Sequence, residues 1–206
     1  MGDYVTFGSY EQDNNIANGQ EPIEWLVLDY DAANNRALLL SRYGLDAQPY
    51  NIEHSKVTWE KCTLRTWLNG TFLNKAFTAQ EKARIEVTNV DNSNSQGYSQ
   101  WRTKGGKNTK DKVFLLSYAE VNHYLGVTYN NSRMTSRITP TAYAVKQGAS
   151  TYSSTKTAGW WLRSPGRALY SAAHVKADGS LGDYNVSLSF DCVRPALWID
   201  LESDIF

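Results

Sequence analysis

Few residues of this chain have types and spacings that could support metal, redox or nucleophilic chemistry. There are two cysteines, Cys62 and Cys192, and three histidines, His54, His123 and His174. They include no Cys-x-x-Cys pair, and the histidines are scattered, whereas structural zinc sites need closely spaced ligands. Two cysteines in a chain of 206 residues do not form a disulfide framework, although one bridge between them stays open. We therefore expect no metal site.

A nucleophilic triad is the other catalytic arrangement to consider. His174, Asp178 and a serine could supply its three members. No Gly-x-Ser-x-Gly sequence or comparable context surrounds a serine, so nothing in the local pattern would present a serine hydroxyl to the histidine. The sequence predicts no catalytic residues, and we expect a protein that is not an enzyme.

Composition limits the class of partner. Lys and Arg number 21, and Asp and Glu also number 21, so the net charge is zero. A neutral chain offers no bulk field to attract a nucleic acid or an anionic membrane. No apolar run is long enough to span a bilayer, and the first residues lack the pattern of a signal peptide. We expect no nucleic-acid partner and no membrane span, and a location at a cell surface or on a phage particle stays open.

The first part of the chain predicts an antiparallel meander. Residues 4–13 alternate apolar and polar side chains, and residues 23–31 form a run rich in β-branched and aromatic side chains. Residues 36–44 follow this run after a short polar turn. Such segments are typical of neighbouring antiparallel strands. We expect the three segments to form a core sheet.

Three short helices are predicted after the meander. Residues 62–72 carry apolar side chains at helical spacing, with Thr63 as a cap and an Asn-Gly pair as a stop. Residues 78–87 and 117–126 each begin with a capping box, in which a Thr or Ser is followed three positions later by Glu. The chain therefore combines strands with short helices.

The C-terminal part predicts two rigid strands with a hairpin between them. Residues 160–166 read WWLRSPG, residues 193–200 read VRPALWID, and Asp178-Gly179 is a strong hairpin signal. Residues 89–110 form a long polar loop, and no linker of Pro, Gly and Ser composition divides the chain. We predict one α+β domain over residues 1–206, with antiparallel sheets, two or three short helices and long loops.

The C-terminal motifs, together with earlier segments, resemble the pattern of a widespread, mostly uncharacterised bacterial domain family. The segments are FGSY, IEWLVLD, LRTWLN, KVFLLS, WWLRSPG and VRPALWI. Members of that family resemble the variable proteins of diversity-generating retroelements. The resemblance implies a C-type lectin-like fold of the formylglycine-generating-enzyme type. It also implies a ligand-binding protein whose C-terminal surface, at residues 167–192, is rewritten by adenine-directed mutagenesis to recognise varied partners.

The codon consequence of this mechanism can be checked against the residues. Mutating the adenines of Asn codons AAC or AAT leaves a pyrimidine at the third base, so Lys, Gln, Glu, Met and Trp cannot arise. These five types make up 36 of the 206 residues, yet in residues 167–192 only Lys176 belongs to them. At the average usage of this chain four or five would stand there, so the depletion is real but mild. Lys176 departs from the pattern and indicates a fixed position.

The resemblance predicts fourteen ligand-binding residues in this window. They are Arg167, Ala168, Leu169, Tyr170, His174, Gly182, Asp183, Tyr184, Asn185, Ser187, Leu188, Ser189, Phe190 and Asp191. Large rigid side chains supply contact area at low entropic cost, and small polar ones adapt, as in antibody contact surfaces. The expected partner is a protein or a glycan of unknown identity, with no cofactor. For the three large aromatic residues of the window, packing in the core is the alternative.

Two other functions stay in view. The surface could belong to a non-diversified interaction module of a cell-surface or phage assembly. A formylglycine-generating-like oxidase would need a pair of active-site cysteines for copper, and neither Cys62 nor Cys192 has a matched partner in sequence. The Glu-Pro-Asn, Gln-Pro-Asp and Trp-Asn-Asp triplets of calcium-dependent lectins are absent, so calcium-dependent sugar binding is not expected.

Overall fold

Two mainly antiparallel sheets frame the part of the chain that the computed structural model describes, residues 2–129 and 131–201. In chain order the strands are β1 (Tyr4–Tyr10), β2 (Glu21–Asp31), β3 (Arg36–Ser41), β4 (Asp46–Ala47), β5 (Thr88–Val90), β6 (Thr109–Asp111), β7 (Trp160–Pro165), β8 (Ser171–Val175), β9 (Leu181–Asn185), β10 (Cys192–Val193) and β11 (Ala196–Asp200). The first sheet has the order β1-β2-β3-β11, and the second has the order β4-β10-β7-β8-β9. The strands β5 and β6 pair with each other at the base of the long polar loop.

The first sheet confirms the predicted meander and adds the C-terminal strand to it. On β2 the side chains of Ile23 and Trp25 are fully buried, as the apolar pattern of the strand requires. The Trp25 indole N–H donates a hydrogen bond to the backbone oxygen of Phe7 on β1 at 2.7 Å. The strand β11 pairs with β3 and places Leu197 opposite Leu39. This pairing ties the end of the chain to its beginning across a buried apolar interface.

The strand predicted over residues 193–200 is divided by Pro195. The residues before it form β10 in the second sheet, and the residues after it form β11 in the first sheet. A proline has no N–H to continue a ladder, whereas the Pro195 carbonyl still accepts a hydrogen bond from Ser41 N at 2.9 Å. The prediction of one continuous strand was therefore wrong, and Pro195 is the point where the chain passes from one sheet to the other.

The helices are short and lie between the strands. They are α1 (Thr63–Trp67), α2 (Leu73–Ala76), α3 (Ala79–Arg84), α4 (Tyr118–Leu125) and α5 (Ala142–Gln147). Both predicted capping boxes are confirmed, one from Thr78 to Glu81 before α3 and the other from Ser117 to Glu120 before α4. Within residues 2–129 and 131–201, no helix has the length and apolar character needed to cross a membrane.

The helix predicted over residues 62–72 has different ends from those expected. It begins after Cys62 with no side-chain cap, because the Thr63 hydroxyl accepts instead from the backbone N–H of Ile52 at 3.0 Å. Asn69 and Gly70 do not stop the helix, since they lie in one π-helical segment (Leu68–Phe72) that connects α1 to α2. The Asn69 side chain donates to the carbonyl of Val113 at 2.8 Å. This tertiary hydrogen bond outweighs the local stop signal.

The strand β7 lies in the interior of the second sheet and is buried along its whole length. All six of its residues are buried, including Arg163, whose side chain is only 2% exposed. The Arg163 guanidinium bonds both carboxylate oxygens of Glu120 on α4, and its Nη1 donates to the Leu115 carbonyl at 2.9 Å. It also donates to the carbonyl of Asp91 in the long polar loop at 3.0 Å. Arg163 thus fastens that loop and α4 to the sheet.

Taken together, the architecture is mixed α+β, with mostly antiparallel sheets and few short helices. The hairpin predicted at Asp178-Gly179 is confirmed, since β8 and β9 pair antiparallel around it and Gly179 has a positive φ of 86°. The segment 112–117, predicted as a strand, forms only one isolated bridge, between Phe114 and Ala196. The turn before β8, the β8–β9 hairpin and the loop that follows it carry the predicted contact residues.

Candidate ligand-binding site

A histidine–aspartate pair lies at the centre of the predicted contact window. His174 on β8 and Asp191, just before β10, place Nδ1 and Oδ2 2.7 Å apart, and both residues are buried. Asp191 comes this close because Gly159 lies beside it, where a Cβ would stand only 2.3 Å from Asp191 Oδ1. The pair therefore depends on a residue from outside the window, at the start of β7.

A second glycine leaves space for the imidazole ring. In the β8–β9 register His174 lies opposite Gly182, and a Cβ on Gly182 would stand 2.5 Å from His174 Nε2. The ring stacks on Tyr184 with 5.6 Å between centroids and 15° between planes. On another side Trp161 of β7 lies 6.2 Å away in a tilted arrangement. Ring packing and the bond to Asp191 together hold the imidazole in one orientation.

The pair forms part of the wall of an open cavity of about 300 Å³. Four of the predicted contact residues line it, namely His174, Tyr184, Phe190 and Asp191. Residues 150–152 also line it, and the backbone hydrogen bond from Ser150 N to Phe190 O, 2.9 Å long, holds them beside the window. Lys176 and Ala177 complete the lining beside the hairpin turn.

The cavity wall contributed by Ser150, Thr151 and Tyr152 was missed in the sequence. These residues lie in a polar stretch whose pattern resembles any surface loop. Their position depends on pairing with a segment some forty residues further along the chain, roughly the separation of Ser150 from Phe190. No local signal in the sequence could have identified them.

Arg167 lies in a separate aromatic cluster. Its guanidinium is 5.6 Å from the centre of the Tyr129 ring and bonds the Tyr129 hydroxyl. The Tyr129 ring stacks on Tyr98, with 5.4 Å between centroids and 11° between planes, and Trp101 meets Tyr98 edge-on. Asp183 accepts from the Arg167 backbone N–H at 3.1 Å. Through Tyr129, the aromatic side chains of Tyr98 and Trp101 in the long polar loop lie close to Arg167 of the predicted window.

Tyr170 belongs to a third group of side chains. Its ring is 42% exposed, lies 5.3 Å from the His54 ring and has the Lys56 ammonium 5.7 Å from its centre. Neighbouring Ala168 is exposed, whereas Leu169 is half-buried and its carbonyl accepts from Val57 N at 3.0 Å. Histidine and lysine side chains from residues 54–56 thus lie beside this part of the window.

The remaining predicted residues form a tight turn after β9. The Asn185 side-chain oxygen accepts from both the backbone N–H and the hydroxyl of Ser187 at 3.0 Å. Asn185, Ser187, Leu188 and Ser189 are all half-buried. Between them Val186, which was not among the predicted contacts, is fully buried. One inward side chain therefore fixes the turn while its neighbours stay partly accessible.

Accessibility divides the fourteen predicted residues into three groups. The buried ones are His174, Gly182 and Asp191, and the half-buried ones are Leu169, Asp183, Asn185, Ser187, Leu188 and Ser189. The exposed ones are Arg167, Ala168, Tyr170, Tyr184 and Phe190. The buried His174 and Asp191 line the cavity, and Gly182 leaves space for the imidazole within the β8–β9 hairpin. The exposed residues are therefore the ones able to offer large contact area.

Neither cysteine takes part in this site. Cys62 and Cys192 are both free and buried. Burial raises the pKa of the Cys62 thiol to about 12 and also raises the pKa of the Cys192 thiol. Asp178, the other carboxylate considered for a triad, accepts from the Ser180 backbone N–H and hydroxyl. The arrangement of His174, Asp178 and a serine is therefore not formed.

One group of carboxylates has the spacing of metal ligands in the described part of the chain. Glu11, Asp13 and Glu21 bring ligand atoms within 4.8 Å of one another, at the ends of β1 and β2. Their oxygens already accept hydrogen bonds, for example from the backbone N–H of Gln12 to Glu21 at 2.7 Å. None of the three lines the cavity beside His174. They add no ligand to the candidate site.

These features define the chain as a mixed α+β domain in which a cavity and several exposed aromatic side chains gather around one hairpin of the second sheet. Residues 34–201 match the family described as a domain of unknown function, DUF6273. The match covers most of the chain, so the protein belongs to this family. No curated protein and no solved structure matches it.

Proposed function

We propose that the protein is a ligand-binding domain whose surface at residues 167–192 is diversified by a retroelement to recognise varied partners. The observation that carries the proposal is a contrast in burial between the strand β7 and the window at residues 167–192. All six residues of β7 are buried, while Tyr170, Tyr184 and Phe190 in the window are 42%, 37% and 45% exposed. Exposed aromatic side chains that are grouped on a rigid sheet are the kind of residue that dominates binding surfaces.

The finer fold belongs to the same proposal. A C-type lectin-like fold of the formylglycine-generating-enzyme type would account for the mixed architecture, in which sheets are joined by short helices and long loops. It would also account for a binding surface built on loops and a hairpin over a closed frame. An experimental structure that superposes on such domains would support this assignment, and one that superposes on another fold class would reject it.

The diversification is tested in the genome. A reverse transcriptase gene nearby, with a near-copy of the 3′ coding end that carries adenines at the window codons, would support it. The absence of both would reject diversification. The ligand-binding surface would then be tested on its own, by replacing Tyr170, Tyr184 and Phe190 together.

The binding role is tested by replacing the three exposed aromatic residues, Tyr170, Tyr184 and Phe190, together with alanine. Because each is substantially exposed, we expect unfolding free energy to fall by less than about 2 kcal/mol while ligand capture is lost. The ligands are those found by screening arrays of glycans and of bacterial surface proteins with the parent protein. If the aromatic residues were core residues instead, each replacement would cost about 3–5 kcal/mol. Such a loss would contradict the surface role.

A non-diversified interaction module is the second candidate, and one observation favours it. The His174–Asp191 pair is buried, and two flanking glycines, Gly159 and Gly182, leave room for it. Random substitution of His174 or Asp191 would disrupt this fit. A site that depends on the pair therefore fits a surface that is not diversified. Under either candidate a protein or glycan partner, at a cell surface or on a phage particle, is part of the proposal. An oxidase receives no support, because both thiols are buried and unpaired with each other.

A further inference from the structure

We infer that the cavity beside His174 is a subsite for a neutral sugar ring, which donates a hydroxyl hydrogen to His174 Nε2 and packs its C–H face on the aromatic wall. The inference rests on the proposed function, since it names the class of ligand that this part of the binding surface takes.

The hydrogen bond to Asp191 decides which nitrogen of the His174 ring carries a hydrogen. An ionised carboxylate only accepts hydrogen bonds, so Asp191 Oδ2, at 2.7 Å, places the imidazole hydrogen on His174 Nδ1. In the neutral ring Nε2 then carries a lone pair. This nitrogen makes no hydrogen bond to any residue in 2–129 or 131–201, and it is not among the fully buried atoms. In its neutral form His174 therefore offers an unfilled acceptor at the cavity.

Other polar groups line the cavity around that acceptor. The hydroxyls of Ser150, Thr151 and Tyr152 and the ammonium of Lys176 line the same cavity. Within the described ranges none of these four polar groups has a hydrogen-bond partner in the protein. Hydroxyl groups both donate and accept, so they match the hydroxyls of a sugar ring better than they match a group of fixed charge.

The wall of the cavity also has an apolar part. Phe190 is 45% exposed and Tyr184 is 37% exposed, and both line the cavity beside the stacked imidazole. Aromatic rings that are held by packing offer an apolar face of low entropic cost, against which the C–H face of a pyranose can lie. Acceptor, hydroxyls and ring faces thus converge on one small volume.

The charge and the volume of the cavity narrow the class of ligand further. Among the described residues that line the cavity, Asp191 is the one carboxylate, and it is already bonded to His174, so it does not attract a cation. Hydrogen bonds from Ser180, and to a smaller extent the Lys176 charge, lower the pKa of nearby Asp178, so positive and negative charge both lie close to the rim. A volume of about 300 Å³ is at the small end of ligand cavities. It accommodates one ring of a neutral glycan, with the rest of the glycan extending over the surface.

The test uses the full chain and four probes, the methyl glycosides of glucose, galactose, mannose and N-acetylglucosamine. Saturation-transfer NMR identifies a binding glycoside, and calorimetry measures its Kd. The key variant is His174→Asn, because the asparagine amide can still donate to Asp191 but has no atom at the position of Nε2. Loss of one hydrogen bond predicts a Kd about tenfold weaker. His123→Asn is the matched control, since His123 is exposed on α4 and does not line the cavity, and it should bind as the parent does.

If His174→Asn fails to fold, Tyr184→Ser replaces it as the test variant, because the serine removes the ring face from an exposed position. It too should weaken glycoside binding relative to His123→Asn. The sugar assignment is overturned if none of the four glycosides binds at millimolar concentration, or if neither cavity variant weakens the binding of one that does.

The outcome also separates this inference from the proposed function. Suppose that the glycosides fail to bind while the screened protein array yields a ligand that the three-residue aromatic variant no longer captures. The sugar subsite is then wrong and the binding surface stands. If neither glycosides nor any array member binds the parent protein, both the subsite and the binding function fall. N-acetyltyrosinamide is added as a fifth probe. The sugar class is overturned if this probe alone binds the parent protein and binds His174→Asn more weakly.

Discussion

Replacing Gly182 with alanine should displace the His174 ring while leaving the backbone of β9 in place. The new Cβ would stand 2.5 Å from His174 Nε2 and 2.9 Å from its Cδ2, which is far closer than such contacts allow. Gly182 is not among the glycines with positive φ, so alanine can adopt its backbone conformation. The ring must therefore move, and its hydrogen bond to Asp191 must lengthen or break.

The size of the effect follows from the two ways in which the clash can be relieved. If the hydrogen bond lengthens without breaking, the overpacked hairpin costs about 1–3 kcal/mol. If the ring swings away, loss of a hydrogen bond to a charged group costs about 1.5–3 kcal/mol. These costs are alternatives, so the free energy of unfolding should fall by about 1–3 kcal/mol in total. In a domain of this length each kcal/mol lowers Tm by about 2–4 °C.

Urea unfolding followed by tryptophan fluorescence measures this loss, and NMR of the imidazole nitrogens reports the bond to Asp191. Gly97→Ala is the matched control, because the nearest atom to its Cβ would be the Asn94 oxygen at 3.7 Å and its φ is not positive. The control should be neutral or more stable by about 0.4–1 kcal/mol. If Gly182→Ala matched the parent in stability and kept the Nδ1 hydrogen bond, the account of how the cavity is built would be refuted.

Two further predictions concern the frame and the pH dependence of stability. Glu120→Ala should cost about 3 kcal/mol in urea unfolding, because the buried Arg163 guanidinium loses its carboxylate. Glu120→Gln should cost less, since its amide oxygen still accepts, and equal losses for the two variants would contradict this reasoning. Burial raises the pKa of Cys62 from 9.0 to about 12, so the folded state keeps a proton that the unfolded chain releases. The stabilising contribution is complete below pH 9 and declines as the pH rises towards 12, so the parent should lose more stability over this range than Cys62→Ser.

Signals confined to a few neighbouring residues were sufficient for several elements. The capping boxes at Thr78 and Ser117 predicted the starts of α3 and α4, because cap and helix lie within one turn of each other. The Asp178-Gly179 pair predicted the β8–β9 hairpin, because that turn needs a residue of positive φ. The run of β-branched and aromatic residues at 23–31 predicted β2 for a similar reason, since such side chains favour extended backbone locally.

Predictions failed where a distant partner decided the local conformation. The Asn-Gly pair at 69–70 is a helix stop in isolation, yet the Asn69 amide finds a partner in Val113, and the chain continues through a π-helical segment. Similarly, residues 112–117 have the composition of a strand, but they make only one bridge, to Ala196. In both cases a hydrogen bond between segments far apart in sequence decided the conformation, and the local pattern did not.

The window at residues 167–192 illustrates the same division for the site. The family resemblance and the codon pattern predict its residues as a group, since both are properties of a continuous stretch. Only the tertiary structure decided which of these residues are accessible. It also decided that His174 meets Asp191 at a cavity lined by residues 150–152. The physical reason is that burial and pairing in this sheet depend on strands brought together from distant parts of the chain, and no local period in the sequence carries that information.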